Sequence, residues 1–158
     1  MTNDLRIAQA ETSEHIEIVQ GLFREYENWL GLDLCFQGFE DELRDLPGRY
    51  APPDGRLLIA WAHLRPIGCI ALRKLLDDIC EMKRLFLRPD ARGLGIGNQL
   101  IETLIDEARS VGYKKMRLDT HPPKMGKAVS LYGSHGFRPI PPYYNNPNEH
   151  VLFMELDL

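Results

Sequence analysis

A chain of 158 residues, 44% hydrophobic and 27% charged, suits one globular domain (residues 1–158) with a single sizeable core. Its net charge of -4 argues against a nucleic-acid-coating protein, which needs a basic stripe to displace counterions, and no apolar run approaches the roughly 20 residues of a membrane span. Cys35, Cys69 and Cys80 are odd in number and lack C-x-x-C pairing, so neither a disulfide framework nor a zinc knuckle is suggested, and with no signal-peptide pattern a cytoplasmic protein is expected.

Residues 4–10, DLRIAQA, alternate as a first strand with Leu5 and Ile7 on one face. Thr12 and Ser13 then supply an N-cap signal. Ile16, Val19, Phe23, Tyr26 and Leu30 recur at spacings of three and four, which predicts an amphipathic helix ended by Gly31. A shorter helix is predicted around Phe39–Leu46, followed by a loop punctuated by Pro47-Gly48 and Pro52-Pro53-Asp54-Gly55. Residues 56–75 read as a hairpin with its turn signal at Arg65-Pro66, and DICEMKRLFLRP, 78–89, as a third successive strand closed by Pro89.

From Gly95 onward Ile96, Leu100, Ile101, Leu104, Ile105 and Ala108 form a second helical stripe, which Gly112 ends. KKMRLDT is a strand, GKAVSLYGSHGF a short helix stopped by Gly136, and HVLFMELDL a final strand. The expected order is β-α-α-β-β-β-α-β-α-β-β. That is a mixed α/β (α+β) fold with a central sheet of six to seven strands and about four helices, and its clear parallel crossover lies at residues 79–120.

The stretch RPDARGLGIGNQL, residues 88–100, places Gly93, Gly95 and Gly97 between a strand and a helix. Close glycines there let backbone N–H groups point outward, and the helix N-terminus favours an anion. The dinucleotide pattern G-x-G-x-x-G fails because position 98 is Asn98, and the P-loop fails because Gly97 is followed by Asn98-Gln99 rather than Lys and a hydroxyl residue.

The run Arg92-Gly93-Leu94-Gly95-Ile96-Gly97 instead fits R-x-x-G-x-G, and AVSLYGSHGF fits A-x-x-L-Y-x-x-x-G-F through Ala128, Leu131, Tyr132, Gly136 and Phe137. With the strand CEMKRLFLRP ahead of them, these motifs resemble the GNAT superfamily of N-acetyltransferases over roughly residues 56–158. The resemblance implies acetyl-CoA as co-substrate. Its pyrophosphate would lie on Arg92, Gly93, Leu94, Gly95, Ile96, Gly97 and Asn98, and its pantetheine arm and thioester on the main chain of Leu85, Phe86 and Leu87. Many members carry asparagine where this chain has Met125, so a contact to the pantetheine arm is replaced or absent.

Acetyl transfer to an amine needs the neutral amine, whereas a free alkyl amine has a pKa near ~10.4, so a base must take a proton. The resemblance offers Glu81 as that carboxylate; an ion pair with Lys83 or Arg73 is the competing reading. Strand alternation puts Glu81, Lys83, Leu85 and Leu87 on one face and Met82, Arg84, Phe86 and Arg88 on the other. Tyr132 matches the family's general acid for the departing thiolate, against a core tyrosine with its hydroxyl at the rim. The resemblance puts the oxyanion on a backbone N–H near Leu85–Leu87.

The fold implied by the resemblance lines the acceptor pocket with Phe36, Gln37, Phe39, Glu40, Tyr143, Tyr144 and Asn145. Glu40, Asp41 and Glu42 suit either a cationic amine or the helix dipole. Arg88 and Lys124 read as solvated charges. His121, His135 and His150 lack metal-ligand spacing, so no metal is expected. The acceptor is a small-molecule amine or a peptide, with no nucleic acid or membrane partner, and the chain is a monomer or homodimer. The rival function is a non-catalytic acyl-CoA-binding or regulatory module on the same fold.

Overall fold

Thr12 opens the first helix, its hydroxyl accepting from the His15 amide at 3.1 Å while His15 Nδ1 accepts from the Thr12 amide. This reciprocal cap serves two orphan donors at once and is worth about 1 kcal/mol. The helix, α1 (Ser13–Leu30), buries Val19, Leu22, Phe23, Tyr26 and Leu30 and ends at Gly31 with φ 70°. In the computed structural model, which describes residues 4–31, Leu34 and 38–158, three further helices follow: α2 (Phe39–Asp45), α3 (Ile96–Val111) and α4 (Pro122–Ser134).

The strands are β1 (Leu5–Gln9), β2 (Arg56–Ala62), β3 (Arg65–Leu76), β4 (Ile79–Leu87), β5 (Lys115–Thr120), β6 (Arg138–Ile140) and β7 (Leu152–Asp157). They form one seven-stranded sheet in the order β1-β2-β3-β4-β5-β7-β6. Every neighbouring pair is antiparallel except β4 and β5, which are joined through α3. The predicted element order and mixed fold are therefore what the chain adopts.

Both faces of the sheet are covered. One carries a core that includes Leu58, Ile70, Leu72, Met82, Leu100, Leu104, Met116 and Tyr132, and the other a core of Val19, Phe23, Phe39, Tyr50, Leu57, Ile59 and Phe86. The near-continuous apolar run of β2 follows from burial on both sides. Cys69 and Cys80 are buried free thiols; Cys35 lies outside the described residues.

Two boundaries differ from expectation. The first hairpin turns at His63-Leu64, one step before Arg65-Pro66, with Ala62 opposite Arg65 and His63 at φ 55°. Pro66 is tolerated inside β3 because it faces Trp61 where the register slips. The last helix begins at Pro122 instead of near Gly126, because Pro122 and Pro123 fit a first helical turn whose N–H groups have no partner anyway, and it kinks at Met125.

Candidate active site

The site begins with an irregularity in β4. Lys83 faces Ala71 and Phe86 faces Cys69, so Arg84 and Leu85 together oppose Ile70 alone. This is a β-bulge, with Arg84 in the left-handed region at φ 63°. Strict alternation, which would keep Glu81, Lys83, Leu85 and Leu87 together, breaks at this step. Cys80, Met82, Leu85 and Leu87 all pack toward α3, while Phe86 joins the core on the α1 side.

The sheet forks just ahead of the bulge. The parallel pairing of β4 with β5 runs only from Ile79 opposite Lys115 to Glu81 opposite Arg117, although β4 continues to Leu87 and β5 to Thr120. A cleft opens between them, walled by Lys83, Arg84 and Leu85 on one strand and Leu118, Asp119 and Thr120 on the other, with Tyr26, Met125 and Tyr132 reaching in from the helices. An unpaired strand edge of this kind offers backbone donors and acceptors to an extended amide-bearing chain.

The glycine turn stands at the mouth of the fork. Gly93 and Gly95 both have φ 79°, which a side chain would strain, whereas Gly97 is helical and a Cβ there would meet Leu131 and Leu87 at an ordinary 3.5 Å. Its lack of a side chain is thus not required by packing. Helix α3 has no side-chain cap, and its first bond at this end runs from the Gln99 amide to the Gly95 carbonyl. The amides of Ile96, Gly97 and Asn98 are left as a cradle for an anion.

Arg92 does not extend alongside that cradle. Its Nε donates to the Leu87 carbonyl at 3.0 Å and its guanidinium lies 4.9 Å from the Trp29 ring centroid. Lys124 reaches the same ring from α4, at 5.9 Å, so Trp29 sits between two cations at the opening. Arg88, read as solvated, instead forks onto Glu25 at 3.1 and 2.8 Å.

Tyr132 projects from α4 into the cleft and is 5% exposed, its ring packed on Phe137. Burial, with Tyr26 and Asp119 adding, raises its hydroxyl well above the ordinary tyrosine value. A phenol so placed stays protonated and is therefore available as a hydrogen-bond and proton donor to a thiolate leaving beside it. Burial likewise pushes the Lys83 amine down, with Arg84 adding to the effect.

Glu81 is 1% exposed and fully engaged. Oε1 accepts from Arg73 Nε and Nη2, both at 2.8 Å, and Oε2 accepts from the Tyr143 hydroxyl at 2.6 Å. It sits at the closed end of the fork, opposite Arg117, and the Arg73 pairing is the competing role read from the sequence.

Asp119, which sequence reasoning passed over, lines the open part of the cleft. Its Oδ2 accepts from the Tyr144 hydroxyl and from Asn146 Nδ2. Two adjacent tyrosines of one loop thus each hold a carboxylate on adjoining strands. The available signal was position: an acid at the end of the strand leading into the Tyr132 helix.

The remaining expected acceptor residues divide. Tyr143 and Tyr144 stand over β4, β5 and Phe153, and Asn145 is exposed beside them. Phe39 does not line the cleft: it is fully buried in the α1-side core, beneath the Arg84 guanidinium. Glu40 faces outward, paired with Arg24 through two 2.6 Å bonds. Phe36 and Gln37 lie outside the described residues. Met125 places its sulfur 3.3 Å from Thr120 Oγ1, so a thioether occupies the wall where relatives' asparagine was expected. His135 Nε2 lies 2.6 Å from Asn98 Oδ1, and His121 Nδ1 is buried with no partner among the described residues. Among the described residues no three metal-binding side chains gather, and no helix is long and apolar enough to cross a membrane.

A forked mixed sheet with a helix N-terminus at its opening offers an anion cradle beside an open strand edge, and comparison with known proteins gives the family that uses it. Residues 17–137 match the Acetyltransferase (GNAT) family. An uncharacterised N-acetyltransferase of Schizosaccharomyces pombe is 36% identical over 99% of this chain and 96% of its own. An acetyltransferase of Streptococcus agalactiae superposes with a TM-score of 0.81 at 22% identity, covering 99% of both chains. The Thermoplasma acidophilum PaiA N-acetyltransferase, solved with coenzyme A, gives 0.74 at 21% identity over 98% and 99%. The chain belongs to the GNAT acetyltransferase family.

Proposed function

We propose that this protein moves an acetyl group from acetyl-CoA to a primary amine, by direct attack on the thioester while both substrates are bound. The observation that carries the reading is the fork: an unpaired edge from Leu85 to Leu87, an anion cradle at Ile96–Asn98 at its mouth, and the buried Tyr132 hydroxyl within it. The coenzyme A bound by the Thermoplasma relative supports the same donor.

The diphosphate would lie on the cradle amides, with Arg92 and Lys124 near enough to move from Trp29 onto its charge. The pantetheine arm would lie along β4 as a surrogate strand, and a main-chain N–H near Leu85–Leu87 would hold the oxyanion. The amine enters from the Tyr143 and Tyr144 side, forms the C–N bond, and the C–S pair leaves on sulfur, to which Tyr132 donates its proton.

The test is thiol release from acetyl-CoA with a panel of amines, together with thermal stability in coenzyme A. Ligand linkage raises the melting temperature by an amount that grows with concentration. No shift at millimolar coenzyme A and no thiol release with any amine would overturn the proposal.

A further inference from the structure

We propose that Asp119, not Glu81, receives the proton that the acceptor ammonium must lose. The inference rests on the acetyltransferase reading above and adds the residue that acts on the acceptor side.

The argument is one of position along two parallel strands. Glu81 and Arg117 are the last pair before β4 and β5 part. Asp119 lies two residues further along β5, inside the gap, in the same cleft wall as Tyr132. Leu118 packs into the α3-side core, so alternation turns Asp119 to the other face, where the loop carrying Tyr144 covers it. Tyr132 approaches from α4 and packs in the α3-side core. A carboxylate and a phenol therefore flank the gap from its two faces, as an amine arriving on one side and a thiolate leaving on the other require.

The bonding of the two acids agrees. Both oxygens of Glu81 are held, one by a guanidinium and one by a tyrosine hydroxyl, and accepting a proton would break that pairing. Asp119 is held through Oδ2 by Tyr144 and Asn146, while Oδ1 accepts no hydrogen bond from any described residue. Two donors on one oxygen fix the carboxylate plane and leave the other oxygen for an incoming N–H.

The groups facing Asp119 are Lys83 and Arg84 on β4, Tyr26 on α1, Tyr132 on α4, His121 at the end of β5, and Tyr144 with Tyr143 and Glu81 beneath the loop. The charge of Asp119 is felt at Tyr26 and Tyr132 and adds to what raises both hydroxyls, so it bears on the reacting gap itself. The step balances. One ammonium proton passes to Oδ1 and on to solvent, the neutral nitrogen forms the C–N bond, the C–S bond breaks onto sulfur, and Tyr132 protonates the thiolate. Tyr132 is restored by the second proton the nitrogen sheds on becoming an amide. The products are the amide, the free thiol and one proton.

The experiment compares Asp119→Asn, Glu81→Gln and Tyr144→Phe with the parent enzyme, using acetyl-CoA and two nucleophiles: the best alkyl amine of the panel, protonated at neutral pH, and methoxyamine, neutral there. Asp119→Asn keeps an oxygen for Tyr144. It should bind coenzyme A as the parent does and lose on the order of 10²-fold or more in kcat/KM toward the alkyl amine. Its loss toward methoxyamine should be much smaller, and its rate toward the alkyl amine should go on rising with pH, with the free-amine fraction, where the parent's levels off. Tyr144→Phe should keep the levelling at high pH, because the carboxylate remains. Equal losses toward both nucleophiles, or an unchanged profile in Asp119→Asn with the levelling lost in Glu81→Gln, would overturn the assignment while leaving the acetyltransferase reading intact. If the parent releases no thiol with any amine, both fall.

Discussion

Replacing Glu42 by Gln tests whether the bulge at the heart of the cleft is held by charge. Arg84 Nε and Nη2 each lie 3.0 Å from a Glu42 oxygen, and the two side chains are only 2% and 12% exposed. Breaking a buried pair by neutralising one partner costs about 3–5 kcal/mol, because the other charge stays desolvated. Glutamine keeps one acceptor oxygen, which sets the expectation at about 3 kcal/mol, or roughly 6–12 °C in melting temperature for a domain of this size. The assay is urea unfolding with the slope m held constant, so that the midpoint alone reports stability. The sign with pH follows too. Burial raises the Glu42 carboxyl, but the hydrogen bonds and charge of Arg84 outweigh it, and the net shift is downward. The pair's contribution is therefore present above the ordinary carboxylate range and fades as pH falls through the lowered folded-state value. Glu40→Gln, removing the exposed pair with Arg24, should leave stability unchanged within error. A Glu42→Gln loss below about 1 kcal/mol, or one that persists undiminished in acid, would refute the reasoning.

Tyr132→Phe should lower kcat on the order of 10²-fold while coenzyme A still raises the melting temperature; equal turnover across the pH range would reject Tyr132 as the acid. Gly97→Ala should separate folding from binding. The added Cβ meets only ordinary contacts and Ala favours a helix by about 1 kcal/mol, so urea stability should hold or rise, while coenzyme A binds several-fold more weakly by calorimetry. Leu104→Ala, at a fully buried site on α3, should cost about 2–5 kcal/mol in urea unfolding, with the KM for acetyl-CoA little changed in the folded fraction.

Much of the fold was legible because local pattern and tertiary demand agree. The α1 stripe from Ile16 to Leu30, the stops at Gly31 and Gly112, and the strand-glycine-helix step at Arg92–Gly97 each express a local rule that the fold also needs. Phe39 went astray because an aromatic at a helix start reads equally as core or as pocket, and only the Arg84 and Arg24 guanidiniums over its ring decide it. Met125 was visible as a departure from pattern, yet its compensation, a thioether on Thr120, depends on a kink that no residue type announces.

The bulge was illegible for a different reason, and the site depends on it. An arginine at φ 63° contradicts local preference, so nothing in EMKRLFL marks the place where alternation reverses. It is tolerated because a long-range partner, Glu42 on α2, together with the Tyr26 and Phe39 rings, holds the Arg84 side chain on the α1 side. Leu85 and Leu87 are thereby turned toward α3, on the stretch of β4 that has already parted from β5 after Glu81. The reversal lies within the gap, on the unpaired edge along which an acyl carrier can lie, with Asp119 on the facing strand. Helix α2 and the cleft are thus one mechanical unit, and a substitution at Glu42 should reach the acetyl-transfer step as well as the stability of the fold.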